Sequence, residues 1–179
     1  MTIESLMIQA LGLTGSLIAI TSLQSGDRRK ILTLQVLCCV LWTAHYALLG
    51  AYTAVLTNIV GLCRALLFAR NDRPWAKSRV WLWVFLGLYA ECAALTWEGF
   101  VSVLPCFSMM LTTVALWVHN MRVTRLLYVL NSPPIFLYNV LTGSWSCAAI
   151  EIVAFCSFLL AVWRFDIRKT QDEPVAEPV

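Results

Sequence analysis

Seven long apolar runs fill this chain, and its basic residues gather on one side of them. The runs lie near residues 5–24, 31–50, 53–70, 79–96, 99–118, 125–141 and 146–165. A helix crosses the hydrocarbon core of a bilayer in about 20 residues, within a range of about 17–25, and each run fits. Taken alternately, the connections divide into two sets. One set holds Arg28, Arg29 and Lys30, then Arg70, Arg73, Lys77 and Arg79, then Arg122 and Arg125, and finally Arg164, Arg168 and Lys169. That is twelve of the thirteen Lys and Arg residues. The other set holds none; its charges are Glu4 and Glu98. An even number of spans would scatter the basic residues over both sides, so their placement supports seven. The positive-inside rule then sets the amino terminus outside and the carboxyl terminus in the cytoplasm.

Composition agrees with a bilayer as the solvent. The chain is 60% hydrophobic and 13% charged, where soluble domains run about 45–50% and about 25%. The first run follows Glu4 with no basic residue before it, unlike a cleaved signal peptide, so it counts as a retained span. Trp75, Trp81, Trp117 and Trp163 fall near the basic interface and Trp97 and Trp145 near the opposite one, as aromatic belts do. Trp42 lies well inside the second run. The seven cysteines all sit in apolar runs without Cys-x-x-Cys or Cys/His spacing, which points to small hydrophobes and to neither a metal site nor a cofactor. The tail 167–179 is polar and proline-containing and reads as disordered.

A shift of 93 residues superimposes two parts of the chain. Leu48-Leu49-Gly50-Ala51-Tyr52 falls on Leu141-Thr142-Gly143-Ser144-Trp145, Ile59-Val60 on Ile152-Val153, Cys63 on Cys156 and Leu67 on Leu160. The basic loop 28–30 falls on 121–123. This divides the chain into a three-helix unit (1–71), a linker helix (72–98), a second three-helix unit (99–166) and the tail. The expected fold is an all-α polytopic membrane protein, seven transmembrane helices in a 3+1+3 parallel-repeat arrangement. Parallel repeats of this kind occur in transporters, with the solute site near the midplane between the units.

Ionisable groups inside a span are costly and usually face the protein interior. Three qualify: Arg64, Glu91 and Glu151. Glu151 is matched by Asn58 under the 93-residue shift, so the two should stand at equal depth on equivalent helices. They could line a cavity, binding a polar or cationic group or carrying a proton, or they could form a structural hydrogen bond between helices. Arg64 could snorkel to the interface or pair internally. Glu91 reads as a helix-contact or rim residue. Trp42 and His45 on span two, with Tyr138 and Asn139 on span six, supply aromatic and polar cavity walls. Pro133 and Pro134 follow Asn131-Ser132 in mid-span six and predict a break or hinge there, and Pro105 a further one in span five.

The sequence His45-Tyr46-Ala47-Leu48-Leu49-Gly50-Ala51-Tyr52, Arg64 fourteen residues after Gly50, and the closing Trp163-Arg164-Phe165 together resemble the bacterial inner-membrane YgjV family, over nearly the whole length to about Arg168. That family is similar to the SWEET sugar transporters, PQ-loop proteins and PnuC vitamin transporters, which share the three-plus-one-plus-three plan. The resemblance implies an inner-membrane location and a transport function. SWEET proteins carry a substrate-facing asparagine on each of spans three and seven. The corresponding pair here is Asn58 and Glu151, and the carboxylate argues against a simple sugar. A PQ-loop pattern would place Pro-Gln in the first span of each unit, whereas Gly12 and Pro105 occupy the matched positions and neither precedes glutamine.

The expected function is a small-solute transporter working by alternating access. The alternative is a non-transporting membrane receptor or assembly protein on the same fold. An intramembrane enzyme has little support, because no nucleophile or metal framework accompanies the acid–base groups. The expected partners are the bilayer and a small solute. A homo-oligomer is compatible with the plan; nucleic acid is not expected, because topology already explains the basic loops.

Overall fold

The computed structural model describes residues 3–23, 28–70, 73–118 and 120–168. The tail beyond Arg168 lies outside them. Among the described residues all regular structure is helical. The elements are α1 (Ile3–Leu23), α2 (Arg28–Leu48), α3 (Tyr52–Ala69), α4 (Val80–Leu95), α5 (Phe100–Trp117), α6 (Met121–Leu141) and α7 (Trp145–Val162). A 3-10 turn, Pro74–Lys77, precedes α4, and a π-helical turn, Trp163–Arg168, extends α7.

The two tight reversals have one geometry. After α2 the Gly50 N–H bonds the Ala47 carbonyl and the Ala51 N–H reaches back to Tyr46 at 2.9 Å; after α6 the Gly143 N–H bonds Val140 and the Ser144 N–H reaches Asn139 at 2.8 Å. This is the paired capping pattern that glycine closes at a helix C-terminus. Both glycines stand at φ 72°, where a Cβ would be strained. Each reversal needs its glycine, and the two lie 93 residues apart.

Packing follows the same offset. Within each unit the first helix packs on the second and the second on the third. Between units α1 lies against α7 and α3 against α5, and α4 rests on α3 and α5. Since the shift carries α1 onto α5 and α3 onto α7, the two contacts between units are equivalents of one another.

The burial pattern departs from that of a soluble domain, with many polar residues inside beside the apolar core and large apolar side chains outside. The buried set includes His45, Thr53, Thr57, Asn58, Arg64, Ser102, Ser108, Thr113, Ser132, Asn139 and Ser144, while Trp83 is 71% and Leu95 79% exposed. Water would not tolerate such an apolar exterior, but lipid does, and small or hydroxylated residues suit helix contacts inside it. Among the described residues, and by length and composition alone, two helices are long and apolar enough to cross a membrane, Phe100–Trp117 and Trp145–Ile167; Ile3–Ala19, Val36–Leu48, Tyr52–Leu67 and Val80–Leu95 are shorter apolar stretches. The apolar stretches of α1, α3 and α4 differ from these two in described length, whereas polar residues dilute α2 and α6. Arg28-Arg29-Lys30 opens α2, and α6 carries Arg122, Arg125 and Asn131-Ser132-Pro133-Pro134.

One expectation changes here. The Asn131–Pro134 sequence does not interrupt its span: α6 runs unbroken from Met121 to Leu141 with both prolines inside, and α5 likewise contains Pro105. Proline costs backbone hydrogen bonds in a helix, yet membrane helices accommodate it where neighbouring groups re-satisfy the chain. Here the Ser132 hydroxyl donates back to the Tyr128 carbonyl at 3.3 Å, and the Asn131 side chain accepts from Ser108 and Thr112 on α5. These contacts tie α6 to α5 through the proline region.

Candidate functional site

A cavity of about 260 Å³ lies between the two units, lined by α1, α2 and α3 on one side and by α5, α6 and α7 on the other. Its walls obey the 93-residue offset. Ser16 and Met109, Trp42 and Ile135, Tyr46 and Asn139, Ala54 and Cys147, Asn58 and Glu151, Gly61 and Ala154, and Ala65 and Phe158 all line it as equivalent pairs. Local packing makes room for these walls. A Cβ on Gly15 would lie 3.0 Å from the Trp42 indole nitrogen, so a glycine on α1 lets Trp42 seat itself, and its N–H donates to the Ser16 hydroxyl at 3.4 Å.

The polar groups of the cavity break the offset. Asn58, 3% exposed, donates its amide to the Ala54 carbonyl at 2.8 Å, and its Oδ1 has no partner. Glu151 lines the cavity from α7, near Ser132 of α6. Arg64, 7% exposed, sits six residues further along α3 than Asn58. Its Nη1 donates to the Thr113 hydroxyl at 2.5 Å and the Met109 carbonyl at 3.4 Å, both on α5, and its Nε has no partner. Arg64 therefore turns inward and, among the described residues, has no carboxylate partner. Tyr89 of α4, fully buried with an unpartnered hydroxyl, stands within electrostatic reach of the same guanidinium.

Beyond the cavity, towards the two glycine turns, the units are joined by a layer of hydrogen bonds. The Tyr46 hydroxyl donates to Asn139 Oδ1 at 2.6 Å, and the Ala54 N–H donates to the Tyr138 hydroxyl at 3.3 Å. His45 is held at both ring nitrogens, Nδ1 on the Ile8 carbonyl at 2.8 Å and Nε2 on the Ser144 hydroxyl at 2.7 Å. A carbonyl can only accept, so Nδ1 carries a proton, and a neutral ring receives the Ser144 hydroxyl at Nε2. Gln9 donates to the Gly143 carbonyl and accepts from the Ser146 N–H, each at 2.9 Å. At the equivalent contact Thr53 Oγ1 lies 3.4 Å from Ser102 Oγ, and Thr96 donates to Thr53 at 2.8 Å. Gln9 corresponds to Ser102 and Ser146 to Thr53, so the two joints occupy matched positions.

Of the residues singled out in the sequence, the structure brings Asn58, Glu151, Trp42 and Asn139 together on the cavity, with Pro105 in the wall. His45 and Tyr138 belong to the hydrogen-bonded layer and do not line the cavity. Neighbours on their helices, Tyr46 and Asn139, take the wall positions. Glu91 is exposed on α4, away from the cavity, and Pro133 is exposed on the outer face of α6. Arg64, noted in the sequence only as an intramembrane charge, is a lining residue. Gln9, Thr53, Ser102 and Ser146 were not anticipated, although the offset that pairs them was visible.

Seven helices in two equivalent three-helix units, with an apolar exterior and a mostly apolar interior cavity that carries a few polar groups, define a helical membrane protein. The chain belongs to the YgjV family of bacterial inner membrane proteins, whose sequence profile matches residues 6–169. No curated protein and no solved structure matches it.

Proposed function

We propose that this protein is a small-solute transporter in which the units α1–α3 and α5–α7 rock against each other around the cavity, exposing it alternately to the two sides of the membrane. One observation carries the reading: the cavity is built from equivalent positions of both units, with the polar pair Asn58 and Glu151 in matched places on α3 and α7. A site on such an axis sees each unit in the same way, so a modest rotation opens one end as it closes the other. Asn58 and Glu151 engage the solute, and Trp42 and Asn139 wall it. In this reading the Tyr46–Asn139 and His45–Ser144 bonds, which join the units at the glycine-turn end, must break when that end opens. That end faces outward if the basic loops face the cytoplasm.

The volume, about 260 Å³, lies just below the usual range of ligand pockets, about 300–1,000 Å³, and suits a small metabolite. The test is counterflow uptake by the purified protein in phospholipid vesicles, with a panel of labelled sugars, nucleosides, vitamins, amino acids and amines. Uptake of at least one class, abolished by Glu151→Gln, is expected. Absence of uptake for every class, with no stabilisation of the protein by any of them, defeats the proposal.

A further inference from the structure

The cavity holds two formally charged side chains, Arg64 and Glu151, and neither has the other as its partner. The guanidinium rests on one hydroxyl and one carbonyl, and the carboxylate lines the cavity with no cation against it among the described residues. Arg64 is more than nine-tenths buried, with Nε–H unsatisfied. A buried guanidinium without an anion is an expensive arrangement, and neutral acceptors do not replace the bidentate anion it is shaped to hold. The repeat does not demand it. The position equivalent to Arg64 is Ser157, exposed on α7 outside the cavity. The other break in symmetry is Glu151 opposite Asn58, whose Oδ1 also lacks a donor. Arg64 lies six residues from Asn58 along α3, about 9 Å at the helical rise. Since Asn58 and Glu151 hold equivalent positions, the cavity carries a cation towards the basic end and acceptors near its middle.

We infer that the solute is a small zwitterion, its carboxylate or phosphate docked on Arg64 and its ammonium group docked on Glu151 and Asn58 Oδ1. The inference rests on the solute-binding reading above and names its substrate class. A simple cation would leave Arg64 uncompensated, and a simple anion would leave Glu151 so. A zwitterion satisfies both charges and the orphaned Nε–H and Oδ1 atoms at once.

The test uses the full chain in detergent and reads thermal stabilisation and affinity for matched triads. The first is γ-aminobutyrate with butyrate and butylamine, the second leucine with 4-methylpentanoate and 3-methylbutylamine, and the third phosphoethanolamine with ethyl phosphate and ethylamine. In at least one triad the zwitterion should stabilise the wild type while its anion and its amine bind about tenfold more weakly or worse, as loss of a charged hydrogen bond implies. Arg64→Gln should weaken the zwitterion by a similar factor and leave the amine unchanged. Glu151→Gln should do the reverse, leaving the anion unchanged. Arg64→Lys, which keeps the charge but not the fork, should lie between wild type and Arg64→Gln. The inference is overturned if an amine, an anion or glucose binds as well as every zwitterion. It is also overturned if Arg64→Gln leaves zwitterion affinity intact. In both cases the transporter reading stands if uptake of another class is seen. If Arg64→Gln does not fold, the wild-type triads alone decide. If no member of the triads or of the wider panel binds or moves, the inference and the transporter reading fail together.

Discussion

The Tyr46 hydroxyl donates to Asn139 Oδ1 at 2.6 Å, and the two residues are separated by 93 positions, the offset that relates the units to which they belong. The same place in each unit thus supplies one partner of a single bond across the cavity. Tyr46→Phe should lower the thermal midpoint, because the buried Asn139 carbonyl loses its donor; leaving such a group unpaired costs about 1–3 kcal/mol. Tyr46→Phe combined with Asn139→Leu should recover part of the loss, since removing both partners leaves no orphan. Unfolding of the three variants in one detergent measures this. An additive double variant would mean the bond contributes nothing.

Gly12 fixes the position of His45. A Cβ there would lie 2.7 Å from His45 Cε1 and 2.8 Å from Ser146 Oγ, closer than real contacts allow. Gly12→Ala should therefore destabilise by about 1–3 kcal/mol, the usual cost of overpacking, and should disturb the α1–α7 joint without touching the cavity wall. A combined loss of the Gly12 and His45 features should be less than additive, because one displacement breaks both. A thermal midpoint equal to wild type for Gly12→Ala would contradict the geometry.

Much of this architecture was legible in the sequence. The ends of the seven helices fall within a few residues of the apolar runs, because lipid rewards unbroken apolar length and charges must sit at the ends. Gly50 and Gly143 marked the two reversals because only a glycine closes such a cap cheaply. The site was less legible. Arg64 could snorkel or turn inward, and what decides is Thr113 on α5, 49 residues away in sequence. His45 and Tyr138 each stand one residue from a true wall position, and one residue is about 100° around a helix. Aromatic and polar character at a depth cannot resolve that rotation. The prolines of α6 looked like a break because side-chain support from Ser108 and Thr112 is invisible in a single helix.

At the basic end the Trp163-Arg164-Phe165 sequence finds its role with Asp166. Arg125 Nε and Nη2 grip Asp166 at 2.8 and 2.5 Å, Arg122 lies 3.5 Å away, and the Phe165 ring sits 5.6 Å from the Arg125 and Arg164 guanidinium carbons. This ties the start of α6 to the end of α7 within one unit. Asp166→Asn should lower the thermal midpoint, mainly through the shielded pair with Arg125 and in a smaller, salt-sensitive part through Arg122, which is 61% exposed. No loss on Asp166→Asn at any salt concentration would mean that the pair contributes nothing. Exchanging the two charges, Arg125→Asp with Asp166→Arg, should restore part of the loss.

Charge placement predicts the orientation as well. Twelve basic residues on one set of connections should hold that set in the cytoplasm, because Lys and Arg in short loops resist translocation. A fluorescent protein fused after Val179 should therefore mature in the cytoplasm, whereas alkaline phosphatase at the same site should stay inactive. Alkaline phosphatase inserted after Gly99, between α4 and α5, should be active. The cause can be separated from the outcome by neutralising Arg70, Arg73, Lys77 and Arg79 together. Those four form the largest basic group, yet the remaining eight still lie on the same side, so the orientation should persist. Inversion by this change alone would mean that the single loop before α4 sets the topology and that the other basic groups are bystanders. A cytoplasmic signal from the Gly99 insertion in the unaltered chain would reverse the assignment of both ends, and the bonds of Tyr46 and His45 would then join the units at the inner end.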